Sequence, residues 1–232
     1  MKSVRGTSIS GRIETGDTIV SRAKELDTGA VKKKLSAFFA THARYTKSVN
    51  AHGTATDAVE KAHADAAAID GELDPLILEI ANHLPSAGLP RANPFSAWGL
   101  AAPSKVVELP WDKEAKAATT IATKASKLKN APGTVKSLAK QIGGLATKLA
   151  SATKKDGPID KAETAQSAAA SARNVVGVAW ERSLAKLKNA ALTAEDDGAT
   201  GLYEALLGNP PPRPKRGPRK AKASQGATPP TT

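Results

Sequence analysis

Six cationic side chains are concentrated in a proline-rich stretch near the carboxyl terminus, where no acidic residue accompanies them. They carry half of the formal net charge of +12, and a segment of this kind can neutralise several phosphates without folding. We predict a sequence-independent contact with an anionic polymer such as nucleic acid; a solubilising spacer would have the same composition. The predicted anion-binding residues are Arg213, Lys215, Arg216, Arg219, Lys220 and Lys222.

A second group of residues suited to binding lies in residues 85–111, a central segment rich in proline and aromatics. Arginine, asparagine and aromatic side chains anchor many protein interfaces. A contact with another subunit is therefore predicted, with the candidate residues Arg91, Asn93, Phe95, Trp98 and Trp111. The same composition also fits a lid that packs across helix ends of the chain's own core. The sequence leaves the choice between lid and interface open.

One pair of residues has the spacing of a metal-binding motif. Glu60 and His63 lie three residues apart, which places a carboxylate and an imidazole on one helix face, as in di-iron helical bundles. Such a site requires a second copy of the motif, and the nearest match, Glu79 and His83, has a spacing of four. We therefore predict neither a metal nor a cofactor.

Catalytic motifs are absent from the sequence. The chain contains no cysteine, no nucleophile elbow, no phosphate-binding loop and no dinucleotide-binding glycine turn. Its 22 acidic residues are scattered, and no pair is singled out for acid–base chemistry. We predict no catalytic residues and a protein that is not an enzyme.

The elements that must position these groups are helices. Six residues from Val31 to Val49 recur at alternating spacings of four and three, which places them on one coiled-coil-like stripe. A similar pattern of smaller residues follows Gly53, and Asp74 and Pro75 are predicted to open a new helix. Further helices are predicted at about 112–130, from Thr134, from Pro158 to about Leu192, and over 202–207.

These patterns predict an all-α fold, because no long alternating strand pattern is present. We expect an elongated helical bundle of five or six helices over residues 1–207, with residues 85–111 as a central crossover loop. Residues 208–232 are predicted to form a disordered basic tail. Between Lys113 and Lys155 the predicted helices carry many lysines and only Glu114 as an acid, so they either contact the same anionic partner or line solvent-exposed faces.

The composition indicates how the bundle is stabilised. Hydrophobic residues make up 40% of the 232 residues, but alanines account for about half of them, which leaves a thin core. Self-association would bury the apolar stripes, so we expect a homo-oligomer. No stretch is apolar enough to be a transmembrane segment, and the amino terminus has no signal-like apolar run, so a cytoplasmic location is predicted.

The leading functional hypothesis is a non-enzymatic, self-assembling scaffold protein whose basic tail and lysine-rich helices contact an anionic partner. A nucleoid-type protein that binds DNA or RNA without sequence preference is the alternative, and a helical binder of granule or lipid surfaces is a further one. Oligomer number, filament or closed symmetry, and the identity of the anionic partner are not determined by the sequence.

Overall fold

The structure is a computed structural model that describes residues 8–208, and it confirms the all-α class. No β-strand occurs in this range, and short 3₁₀ turns connect some of the helices. The α-helices are α1 Ile9–Ala23, α2 Lys32–His83, α3 Pro103–Val106, α4 Trp111–Ser126, α5 Gly133–Thr153, α6 Pro158–Asp196 and α7 Leu202–Leu207. Among the described residues, no helix is both long enough and apolar enough to cross a bilayer.

Helix α2 is continuous over 52 residues, whereas the sequence predicted breaks at Gly53 and at Asp74–Pro75. The prediction of a helix start at Asp74 was wrong, because Pro75 lies inside the helix despite having no amide hydrogen to donate. Leu73 and Ile77, on either side of the proline, are completely buried. Packing on both sides therefore holds the backbone helical through a position that local propensity disfavours.

Helix α1 was not predicted, although Ile9, Ile13 and Val20 lie at helical spacing; two glycines interrupt that pattern. Ser8 caps its amino terminus, where the hydroxyl accepts a hydrogen bond of 3.0 Å from the amide of Gly11. Only three of its residues are buried, and they are Thr15, Gly16 and Ile19. Packing against the rest of the chain, more than intrinsic helix propensity, accounts for this helix.

The chain forms two compact units. Among the described residues, the terminal unit consists of 8–42 and 180–208, and the central unit consists of Ala43–Ala179. In the central unit, α4 packs along α5, and the carboxyl-terminal part of α2 contributes to the same core. The largest completely buried side chains of this core are Leu73, Ile77, Ile80, Leu84, Phe95, Ile121, Ile142 and Leu149.

The terminal unit has a separate core. It is built from α1, the beginning of α2, the end of α6 and α7, and α1 contacts α7 directly. Its buried residues include Ile19, Val31, Leu35, Phe38, Trp180, Leu184, Leu187 and Leu206. The predicted division between a helical domain over 1–207 and a tail over 208–232 stays a prediction, because residues 209–232 lie outside the described range.

Candidate functional site

Three carboxylates from two helices converge in the central unit. Asp70 and Asp74 lie one turn apart on α2, and Glu114 lies in the first turn of α4. Each contributes an oxygen atom to a group in which all three atoms lie within 4.8 Å of one another. Three acidic groups at this distance repel one another if all are ionised, so the cluster must hold a proton or a cation.

Glu114 is the buried member of this cluster. Its exposed fraction is 0%, and neither of its carboxylate oxygens has a hydrogen-bond partner. One buried oxygen of Asp70 and one of Asp74 also have no partner. In the described part of the chain, no lysine, arginine or histidine forms an ion pair with any of the three.

Burial changes the protonation of the cluster. It raises the pKa of Glu114 from 4.5 to about 9, and the facing carboxylates of Asp70 and Asp74 add to the rise. Burial also raises the pKa of Asp74; the Glu114 carboxyl, which can donate to Asp74 only when it is protonated, acts in the opposite direction, and the charge of Asp70 adds to the rise. In the absence of a cation, Glu114 is therefore a neutral acid at pH 7.

An exposed apolar stripe runs along α6 within the central unit. Its residues recur at alternating spacings of three and four, as in a coiled-coil seam, and all are exposed. Val175 has an exposed fraction of 71%, and Val178, beside the stripe, one of 50%. Arg173 is the only charged residue between positions 164 and 179. We call these residues the α6 stripe: Ala165, Ala168, Ala172, Val175 and Ala179.

A basic groove of about 800 Å³ also lies in the central unit, between α2, the end of α5 and the beginning of α6. Gly157, at the turn between α5 and α6, has no room for a side chain, because a Cβ there would lie 2.7 Å from the carbonyl oxygen of Lys154. Two aspartates, Asp65 and Asp156, line the groove as well, and Asp65 accepts from Lys61 at 2.7 Å. The lysines that line it are Lys61, Lys148, Lys154 and Lys161.

The terminal unit contains a buried histidine with a defined tautomer. Nδ1 of His42 lies 3.2 Å from Nε1 of Trp180, and Nε2 lies 2.9 Å from a carboxylate oxygen of Asp17. The indole N–H can only donate, so Nδ1 accepts and Nε2 donates to Asp17. The His42 ring also stacks on Phe38, with centroids 6.0 Å apart. These contacts hold the His42 side chain in place within the core of the terminal unit.

Some of the predicted interface residues of the central loop lie in the core, and others lie at the surface. Phe95 is completely buried and stacks on the half-buried Trp98 at 5.9 Å between centroids. Asn93 is engaged internally, since its side-chain oxygen accepts from the amide of Phe95 at 3.0 Å. Arg91 is exposed, and Trp111 packs against the core at the start of α4. Phe95 and Asn93 are therefore committed to the chain's own fold, and the subunit contact stays a prediction.

The remaining predicted residues divide into two groups. The predicted anion-binding residues, Arg213 to Lys222, lie outside the described range. His63 lies 3.3 Å from Glu163 of α6, and its ring is 6.0 Å from that of Trp111. His63 thus contacts residues of α4 and α6, whereas Glu60 is exposed on α2.

The carboxylate cluster was missed in the sequence, although one signal was present. Glu114 precedes Ala118 by four residues and Ile121 by seven, so it occupies the same apolar face of α4. Asp70 and Asp74 alternate with the buried positions Ala66, Leu73 and Ile77 of α2. The position of Glu114, an acidic residue on an otherwise apolar helix face, was the signal that could have revealed the cluster.

No protein-family model, no curated protein and no solved structure matches this chain. A functional proposal therefore depends on its own residues and geometry.

Proposed function

We propose that the protein is a non-enzymatic, cytoplasmic structural protein that self-assembles through the α6 stripe. The observation that carries the proposal is an exposed, uncharged stripe at coiled-coil spacing on a helix whose neighbouring exposed face is polar. A stripe of alanine and valine permits a second helix to approach closely. An exposed valine with 71% of its surface in solvent gains free energy when a partner covers it.

A second copy of the chain is the occupant that fits the stripe best. The stripe presents no charge, so an acidic or basic partner would lose solvation there without gaining an ion pair. Ala165 and Ala179 lie seven residues on either side of its centre, Ala172, so the stripe can pair with itself in antiparallel order. The 15 residues from Ala165 to Ala179 span about 21 Å at 1.5 Å per residue. A contact of this length is small beside a standard protein interface, so the association should depend on concentration.

A charged substitution in the stripe is expected to separate the copies. Val175→Glu would place a carboxylate in each half of a two-fold contact, and we expect association to weaken at least about 100-fold. The matched control is Asn174→Glu, which adds the same charge on the adjacent polar side of α6. Light scattering after size exclusion should give multiples of 23.9 kDa for the control and 23.9 kDa for Val175→Glu. Equal masses for both variants would contradict the assignment of the α6 stripe.

The basic groove favours a second candidate function, sequence-independent binding of nucleic acid. It brings lysines from three helices to one surface, and the predicted tail cations would add to the same electrostatic affinity. In the assembly, this binding would attach an anionic polymer to the scaffold. As a function in its own right, it would make the protein a nucleoid-type binder.

Charge reversal in the groove is expected to weaken nucleic-acid binding. Reversing Lys148, Lys154 and Lys161 to glutamate should lower affinity for duplex DNA at least about 10-fold and make the salt dependence shallower. The matched control reverses three exposed lysines in and after α4, namely Lys124, Lys127 and Lys129. Fluorescence anisotropy across a salt series measures both quantities. An equal loss in the two triple variants would assign the binding to overall charge instead of the groove.

A further inference from the structure

The carboxylates of Asp70, Asp74 and Glu114 have no counter-charge, and the proposed self-assembly does not use them. We propose that they bind one hard divalent cation, which joins α2 to α4 inside the central unit. The site does not depend on the α6 stripe, whose residues are separate from it.

The burial of Glu114 is the observation that points to a ligand beyond the proximity of three acids. Its side chain is completely buried and lies beside the two aspartates, yet as an ionised carboxylate neither of its oxygens has a hydrogen-bond donor. Buried polar atoms without partners are rare in native proteins, because each loses the free energy of its hydration. A bound cation would compensate that loss.

A proton alone would give a partner to fewer of the buried carboxylate oxygens than a cation would. Four buried carboxylate oxygens have no partner: one on Asp70, one on Asp74 and both on Glu114. One proton shared between two carboxylates forms one hydrogen bond and so satisfies two oxygens. A single cation at the centre of the cluster can contact an oxygen of each residue, since these atoms lie within 4.8 Å of one another.

The ligand atoms define the class of cation. All are carboxylate oxygens, with no imidazole or thiolate among them, which favours magnesium, manganese or calcium over zinc or copper. At ligand distances of about 2.3 to 2.6 Å, calcium can hold oxygens separated by up to 4.8 Å, whereas magnesium, at about 2.0 to 2.1 Å, requires them to approach to about 4.2 Å. Three carboxylates also supply enough negative charge to hold a divalent ion without a basic neighbour.

The test measures cation binding directly on the full chain after treatment with a chelator and its removal. Isothermal titration with magnesium, manganese and calcium chloride should detect one site per chain. At about 100 times the dissociation constant, the thermal unfolding midpoint should rise by about 5 to 10 °C relative to potassium chloride of equal ionic strength. Bound manganese should give an altered paramagnetic resonance spectrum.

Three variants distinguish this site from adventitious surface binding. Glu114→Gln retains the shape of the side chain, and Asp70→Asn changes a half-buried member; each should weaken binding at least about 10-fold and abolish the thermal shift. Glu79→Gln, an exposed carboxylate of α2 outside the cluster, should bind as the unmodified chain does. The proposal is overturned if none of the three cations binds, or if binding survives unchanged in Glu114→Gln and Asp70→Asn.

Discussion

Replacing Gly16 by alanine is expected to destabilise the protein by about 2 to 4 kcal/mol. A Cβ on Gly16 would lie 2.1 Å from Cε1 of His42, which is far inside van der Waals contact. The ring cannot withdraw without losing its hydrogen bonds to Trp180 and Asp17 and its stacking on Phe38. The substitution therefore destabilises the core of the terminal unit.

Urea denaturation of a double-mutant cycle separates this clash from a general effect of helix substitution. In a His42→Ala background the obstructing ring is absent, so Gly16→Ala should cost less than about 1 kcal/mol there. Gly53→Ala is the matched control, because nothing but its own helix backbone and chain neighbours lies within 4 Å of the Cβ it would add. That control should stabilise α2 by about 0.5 to 1 kcal/mol. An equal cost of Gly16→Ala in both backgrounds would contradict the packing described for His42.

The contribution of Glu114 to the stability of the protein in a chelator is expected to fall as pH rises, in the sense opposite to that of an ordinary carboxylate. The pKa of Glu114 is about 9 in the folded chain and near 4.5 when it is unfolded. Between these values the folded state binds one more proton at Glu114 than the unfolded state, so the contribution of Glu114 to stability is fully present below about pH 4.5 and is lost towards pH 9. The slope is about 1.4 kcal/mol per pH unit within that window.

Glu114→Gln removes this titration and keeps the size of the side chain. The variant and the unmodified protein should have similar free energies of unfolding near pH 4.5, and the variant should be more stable by about 4 to 5 kcal/mol near pH 8. Urea denaturation at a series of pH values measures the difference, since the other titrating groups are common to both proteins. A difference that does not change with pH would contradict the raised pKa of Glu114.

The sequence predicted elements best where local signals and packing agree. Helix α6 begins at Pro158, where Gly157 and the proline mark a break, and α7 covers the predicted residues Leu202–Leu207. Helix α2 was divided because Gly53 and Pro75 are locally unfavourable, and only the buried residues around the proline reveal why the helix continues. Packing between distant segments overrides propensity at such positions, and a single sequence does not contain that information.

The candidate sites were less predictable than the fold. The meeting of Asp70, Asp74 and Glu114 depends on how α2 packs on α4, which periodicity within either helix does not determine. The sequence did not show that the α6 stripe is exposed, because alanines and valines at coiled-coil spacing are equally typical of a buried seam. Only the exposed fractions of Val175 and Val178 distinguish the two cases.

Sedimentation equilibrium of the full chain tests self-assembly most directly. We would measure the mass between about 1 and 100 µM, in about 0.1 M and 1 M salt, because apolar contacts persist at high salt and charge-driven ones are screened. We predict that the mass rises from 23.9 kDa to at least twice that value with concentration and that the rise persists at high salt. A mass of 23.9 kDa throughout the range, or association that disappears at high salt, would contradict it.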